Sequence, residues 1–140
     1  MDVPLFQSHG FGNIQYVKTA GEAAEGILFP CGRLFISENL PNNHPQKKFM
    51  VDYKTAYEKK YGEDVSTFGG HAYDALMILV NAIEKAGFDK EKVRDAIENT
   101  KKFAGTGGVF NFSAQDHNGL KIDAFEMLTV KDGKFVLYEQ

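Results

Sequence analysis

At 140 residues, with 43% hydrophobic and 25% charged residues, the chain has the size and composition of one ordinary globular domain. Its net charge of −3, without clusters of Lys and Arg, excludes the charge pattern typical of proteins that bind nucleic acids or anionic membranes. Cys31 is the one cysteine, so an internal disulfide is excluded, and residues 1–10 lack the pattern of a signal peptide, so we expect them to come from the middle of a longer protein.

The first third of the chain predicts a unit of strand, loop, helix and strand. Residues 3–7 form a short apolar run, and a loop with two glycines follows over residues 8–12. Asn13 can cap a short helix, and residues 27–30 predict a second strand. This order suggests one parallel crossover unit. His9 then lies where a strand runs out into a loop, which is the edge at which ligands collect in open α/β sheets.

The middle of the chain predicts three helices. Residues 31–44 have no clear period, and we interpret them as a linker between two bodies. Pro45 suits the first position of a helix, and apolar residues recur at helical spacing over residues 46–61, where Gly62 ends the helix. Asp89 can cap a later helix that runs to about Thr100.

Residues 66–87 predict the central helix, around which we expect the rest of the chain to be arranged. Its start can be capped by a serine or threonine, and Gly87 ends it. Its polar residues fall on a narrow line, so we expect it to be covered on two or more sides. Residues 68–71 form its first turn, whose free amide groups and dipole suit them to face a ligand. We expect Asp74 to fix the helix to its neighbours.

The last third predicts short strands. Residues 109–112 alternate as a strand does, and Asp132 with Gly133 is a strong hairpin signal between two further strands. The chain as a whole predicts three or four helices and four or five short strands. Because the helices carry more apolar surface than these strands can cover, the chain either associates with itself or is part of a larger protein.

Catalytic and cofactor motifs are absent from the sequence. The four histidines do not have metal-ligand spacing, and residues 105–108 lack the Gly-Lys-Ser/Thr ending of a phosphate loop. Ser8 and His9 adjoin in sequence, but no Gly-x-Ser-x-Gly elbow is present. We therefore predict no enzyme activity, no metal and no cofactor. A small hydrolase that uses Ser8 and His9 stays open as an alternative, and it would need an acidic partner that the sequence does not identify.

Six segments together resemble the C-terminal part of type 1 periplasmic solute-binding proteins of the branched-chain amino acid ABC transporter family, the leucine/isoleucine/valine-binding kind. They cover nearly the whole chain in order and with similar spacing. The segments are VPLFQSHG, AGEAAEGILFP, FMVDYKTAYEKKYGEDVSTFGGHAYDAL with NAIEKAG, KEKVRDAIENT, GVFNFSAQDHNG and AFEMLTVKDGKFVLYE.

The resemblance implies the fold class α/β. It implies a fragment of a two-lobe type 1 periplasmic binding protein, with three to four helices, short parallel strands and a C-terminal β-hairpin. Residues 1–140 would be a single fragment, in which residues 1–32 resemble the end of the second lobe and residues 33–122 the end of the first lobe. Residues 123–140 resemble the hairpin that returns to the second lobe. Family members bind their ligand in the cleft between the lobes.

The resemblance also implies a ligand site at His9, Gly10 and Phe68. In amino-acid binders of this family an acidic residue stands at the position of His9 and pairs with the ligand ammonium, whereas an aromatic near the start of the central helix, here Phe68, lines the side-chain pocket. A neutral imidazole accepts one hydrogen bond, and its protonated form favours a carboxylate. We therefore expect a ligand without an α-ammonium, such as a small carboxylic or aromatic acid.

The function that the resemblance implies is solute binding for an ABC importer of branched-chain amino acids or related small amphipathic or organic acids. The partners would be the small ligand and a membrane permease, and the location periplasmic or extracellular, at the membrane through the transporter. No nucleic acid is expected. For the isolated chain we expect a homo-oligomer. The alternative is a ligand-sensing regulatory domain of the same fold that is not coupled to transport.

Overall fold

The computed structural model describes residues 3–139, and these contain four α-helices and two small β-sheets. The helices and strands are listed here in chain order: α1 (Ile14–Ala20), β1 (Leu28–Cys31), α2 (Lys47–Tyr61), α3 (Thr67–Ala86), α4 (Lys90–Glu98), β2 (Phe103–Ala104), β3 (Val109–Phe110), β4 (Glu126–Lys131) and β5 (Lys134–Leu137). Short 3-10 helices occupy His9–Phe11, Gly21–Ala24, Arg33–Asn39 and Ile122–Ala124.

The predicted helix caps are present. The side chain of Asn13 accepts a hydrogen bond from the Gln15 amide, and that of Asp89 accepts bonds from the first turn of α4. Gly62 ends α2 in the left-handed conformation, with φ of 69°. The predicted start of α2 is wrong by two residues, because Pro45 lies outside the helix. The side chain of Gln46 is buried there and donates to the carbonyl of Gly105 at 2.7 Å.

The three-stranded sheet has the order β1–β4–β5, and both pairings are antiparallel. The predicted turn of the final hairpin is confirmed, since Asp132 and Gly133 have φ values of 52° and 69° between β4 and β5. The parallel pairing expected from the first crossover unit is limited to one bridge between Phe6 and Leu28. The other edge of β1 is occupied by β4, so the start and the end of the chain share one sheet.

The buried residues form two clusters on either side of Arg33–Asn39. The larger cluster is centred on Phe29, Leu128 and neighbouring residues of the three-stranded sheet, and the smaller one on Met50 of α2. Residues 31–44, interpreted as a linker between two bodies, contain the 3-10 helix Arg33–Asn39, whose Ile36 belongs to the larger cluster and whose Leu34 belongs to the smaller one. A short 3-10 helix gives no long period in the sequence, which is why the prediction missed it.

The prediction for α3 is confirmed in its bounds and wrong in its burial. Ser66 caps the helix and Gly87 ends it. However, a single stripe of α3 is buried, and Leu76 and Leu79 on its other faces are 57% and 41% exposed. Within residues 3–139, therefore, the chain covers one side of this helix. None of the described helices combines the length and the apolar character that a membrane crossing requires.

Candidate ligand-binding site

His9 lies at the end of the segment that joins the edge of β1. The Gln7 amide donates to the carbonyl of Leu28 at 2.8 Å, and the next residues turn into His9–Phe11. The Gly12 amide closes this turn by donating to the carbonyl of His9 at 3.0 Å. The sheet edge and the turn together hold the histidine where the sequence places it, just beyond a strand-like segment.

The imidazole of His9 lies between two other rings. Its centroid is 5.3 Å from that of His71 and 5.6 Å from that of Phe125, which it meets edge-on at 84°. Its Nε2 atom is buried and has no hydrogen-bond partner among residues 3–139. Burial, and second the nearby His71, lower the pKa of His9 below its usual 6.5. The ring is therefore neutral at pH 7 and has hydrogen-bonding capacity that the described residues do not use.

The first turn of α3 is bound directly to the His9 turn. Both the amide and the hydroxyl of Thr67 donate to the carbonyl of Gly12, at 3.2 and 3.1 Å. A Cβ on Gly12 would lie 2.8 Å from the Thr67 hydroxyl oxygen, so glycine is required for this close approach. These contacts bring two segments that are distant in the sequence to one place.

The structure places the other two predicted site residues beside these contacts. Phe68 follows Thr67 on the first turn of α3 and is 54% exposed, so its ring is available to a ligand. Gly10 lies within the His9 turn and is exposed, and a Cβ there would come 3.4 Å from the Ser8 hydroxyl oxygen. Gly10 thus leaves the backbone beside His9 open.

A buried group of hydrogen bonds to Asp74 supports the part of the site that contains His71. The carboxyl group of Asp74, one turn after His71 on α3, accepts hydrogen bonds from the Thr106 amide and hydroxyl and from the Gly107 amide, at 2.7, 2.9 and 2.8 Å. A Cβ on Gly107 would lie 2.7 Å from Cε1 of His71, so the loop packs directly on the imidazole. Asp74 thereby fixes the helix to its neighbours, as expected, and holds the loop that seats His71.

The sequence analysis placed His71 in the turn 68–71 that it expected to face a ligand but gave it no specific role, and it did not single out Phe125. His71 lies four residues after Thr67, which places both on one face of α3, and this spacing was a usable signal. Phe125 lies directly before β4, and no local pattern connects it to His9. The contact depends on the long-range pairing of β4 with β1, which the sequence alone does not specify.

A cavity of about 340 Å³ lies near Ala124 and has mixed charge. Its cationic residues include Arg33 and Lys121, and Asp123 also lines it. The Arg33 guanidinium is already engaged, since it donates to Oε1 of Glu126 at 2.6 and 2.8 Å and to the Asp123 carbonyl. None of the three predicted site residues, His9, Gly10 and Phe68, lines this cavity.

Among the residues that the structure describes, the hydrolase alternative lacks the acidic partner that Ser8 and His9 would need. No hydrogen bond or ion pair joins His9 to a carboxylate within residues 3–139, and the rings that face it are those of His71 and Phe125. A serine nucleophile needs a base that a third group orients. The same described part of the chain contains no group of three or more His, Cys, Asp or Glu side chains that could hold a metal ion.

Comparison with known proteins identifies relatives of this chain. Residues 2–134 match the family model described as periplasmic binding protein. The chain is 32% identical over 98 residues to the leucine-, isoleucine-, valine-, threonine- and alanine-binding protein of Pseudomonas aeruginosa, a match that spans 69% of this chain and 24% of that protein.

Solved structures agree with this match. An extracellular ligand-binding receptor from Rhodopseudomonas palustris superposes with a TM-score of 0.86 at 32% identity, over 99% of this chain and 41% of the receptor. A leucine-binding protein of Thermotoga maritima gives a TM-score of 0.77 at 28% identity, over 99% of this chain and 37% of that protein. The branched-chain amino acid substrate-binding protein LivJ of Streptococcus pneumoniae, solved with isoleucine, gives 0.72 at 31% identity, over 96% of this chain and 36% of LivJ.

The predicted fold class is confirmed by these findings. The chain has mixed helices and short strands, and it corresponds to about two-fifths of the length of the R. palustris receptor with which it superposes. The resemblance noted in the sequence is confirmed as well, because relatives and solved neighbours include proteins named for leucine and other branched-chain amino acids. The chain belongs to the periplasmic binding protein family, as part of a type 1 binding protein.

Proposed function

We propose that the protein is the solute-binding component of an ABC importer that takes up branched-chain amino acids or related small amphipathic or organic acids, with an organic acid as its preferred ligand. The observation that carries the solute-binding role is the family match, which a neighbour solved with isoleucine supports, whereas the preference for an organic acid rests on the His9 imidazole, whose pKa is lowered by burial. A binding protein of this kind works without catalysis, in the periplasm or outside the cell, and delivers its ligand to a membrane permease.

The site residues support a ligand that is apolar at one end and acidic at the other. Phe68 and Phe125 present exposed ring surface, which suits an aliphatic or aromatic group. The imidazole of His9, which meets the ring of Phe125 edge-on, has an Nε2 atom without a hydrogen-bond partner among residues 3–139. A neutral imidazole carries no negative charge, so it cannot replace the carboxylate that would hold an α-ammonium.

The proposed division of the chain into lobes is supported by the sheet pairing. Strand β1, from residues 1–32, pairs with β4, from residues 123–140, as expected if both ranges belong to one lobe. Residues 33–122 then belong to the other lobe, and the Thr67–Gly12 hydrogen bonds cross from one lobe to the other. His9 lies at this boundary, where a ligand held between two lobes would contact both.

A thermal-shift screen of the full-length gene product tests the proposal. We expect small branched or aromatic carboxylates to raise Tm, because a ligand that binds only the folded state stabilises it. Sugars and inorganic anions serve as controls. A His9→Glu variant should respond more strongly to leucine and less to the carboxylates. If neither carboxylates nor amino acids raise Tm, solute binding of this class is contradicted.

A further inference from the structure

We infer that His71 is a second ligand-contacting residue, and that His9 and His71 together hold one carboxylate group of the ligand, which takes one hydrogen bond from each imidazole ring. This inference rests on the proposed function, because it concerns the same ligand at the same site. It assigns a specific contact to one residue of the first turn of α3, the turn that the sequence analysis expected to face a ligand.

The spacing of the two rings suits a shared carboxylate. Their centroids are 5.3 Å apart, and the planes are tilted by 50°, so the rings are neither stacked nor hydrogen-bonded to each other. A carboxylate has two oxygens, and each accepts a charge-assisted hydrogen bond at about 2.7–2.9 Å. One carboxylate can therefore take one bond from each ring, and the unpartnered Nε2 of His9 would gain the partner it lacks.

The charges around the pair favour an anion over a cation. His71 acts on His9 as a like charge, which is one reason why the pKa of His9 is lowered. Of the acidic groups on the surrounding elements, Asp74 has its oxygens occupied by Thr106 and Gly107, and Glu126 is paired with Arg33. Asp123, which lies before Phe125, lines the separate cavity beside Arg33. A carboxylate beside the imidazoles would favour their protonated forms, which would otherwise repel each other.

The position of His71 is fixed before a ligand arrives. The backbone of Gly107 lies so close that a Cβ there would meet the ring at 2.7 and 2.8 Å, and Asp74 anchors that loop. On the other side, the hydrogen bonds from Thr67 to Gly12 hold α3 against the His9 turn. Both imidazoles are thus preorganised, which lowers the entropic cost of binding.

Calorimetric titration of the full-length gene product with 4-methylpentanoate and 3-phenylpropanoate tests the pair. We expect His9→Gln and His71→Gln each to weaken binding by about 10-fold, because the glutamine amide is a neutral donor and cannot supply the charge-assisted hydrogen bond of a protonated imidazole. The double variant should lose less than the product of the two single losses, because both rings share one carboxylate. His117→Gln is the matched control, since His117 is exposed and pairs with Glu98 elsewhere.

A second measurement uses the unmodified protein, so its result does not depend on whether a variant folds. Because a bound carboxylate favours protonated imidazole, binding at pH 7.5 should take up protons, which appear as a difference between titrations in phosphate and Tris buffers. If the carboxylates bind without proton uptake and His71→Gln binds them as His117→Gln does, the role of His71 is overturned while the proposed function stands. If no carboxylate binds and leucine does, the proposed ligand class itself is overturned.

Discussion

The carboxyl group of Asp74 binds Thr106 through both of its oxygens: Oδ1 lies 2.7 Å from the Thr106 amide nitrogen, and Oδ2 lies 2.9 Å from the hydroxyl oxygen. Both residues are buried, with exposed fractions of 1% and 3%. A Cβ on Gly105 would lie 2.7 Å from the same carboxyl group, so this loop can wrap Asp74 because it is made of small residues. The contact joins the middle of α3 to the segment between β2 and β3.

We predict that Asp74→Asn destabilises the full-length gene product by about 1–3 kcal/mol, because the new amide group donates where the carboxyl oxygen accepted and leaves a buried donor unpaired. Urea denaturation monitored by circular dichroism measures the effect. Asp95→Asn is the matched control, since that carboxyl group is exposed and pairs with the neighbouring Arg94. It should change stability by less than about 0.5 kcal/mol. Equal stability of the two variants would contradict a structural role for Asp74.

The stability of the folded protein should fall as the pH drops below about 6.5, the usual pKa of histidine. Burial, followed by His71, lowers the pKa of His9 in the folded state, so the unfolded chain binds more protons at mildly acidic pH. The contribution is fully present above pH 6.5 and is lost as the pH falls through the lowered value. Denaturation midpoints from pH 5 to pH 8 should show this slope, and His9→Gln should reduce it. An unchanged slope in that variant would contradict the assignment of this pH dependence to His9.

Cys31 should be unreactive in the native protein. It lies in the larger buried cluster, and burial raises its pKa to about 12, although the Gly32 amide acts in the opposite direction. Because the thiolate is the reacting form, labelling by a disulfide reagent at pH 8 should accelerate by roughly a thousandfold or more when the protein is unfolded in urea. Comparable labelling rates in native and unfolded protein would show that this cluster opens readily.

The isolated 140-residue chain should self-associate through the uncovered faces of α3 and its flanks. Leu76 is 57% exposed and Phe88 is 92% exposed, and an apolar surface of this kind drives association. Sedimentation velocity at micromolar concentration should detect a dimer or larger species, and Leu76→Glu should shift it towards monomer. Glu84→Gln, at an exposed position of the same helix, is the control. A compact monomer of the unmodified chain would contradict the prediction.

The features that the sequence predicted correctly are those set by local chemistry. Ser66 caps α3 through its own side chain, and the Asp132–Gly133 turn needs two residues that tolerate positive φ. Both signals lie within a few residues of the structure that they specify. The family resemblance added the overall fold class, which no local signal provides.

The features that the sequence did not predict depend on distant parts of the chain. The partner of β1 is β4, and no property of residues 27–30 alone selects an antiparallel neighbour near the end of the chain. The approach of His71 to His9 likewise follows from the Thr67–Gly12 hydrogen bonds and from the Gly107 backbone. The sequence showed the wide apolar face of α3 and an excess of apolar helix surface over its cover, but it did not show which residues, such as Leu76, stay exposed within residues 3–139.

The most direct test of a carboxylate ligand at His9 is a calorimetric comparison of leucine with 4-methylpentanoate, which is leucine without its ammonium group. The two ligands share the same apolar end, so the ratio of their Kd values isolates the ammonium. Because His9 stands where the resemblance implies an acidic residue in amino-acid binders, we predict that the full-length gene product binds 4-methylpentanoate at least about tenfold more tightly than leucine. Submicromolar binding of leucine with no measurable binding of 4-methylpentanoate would contradict the account.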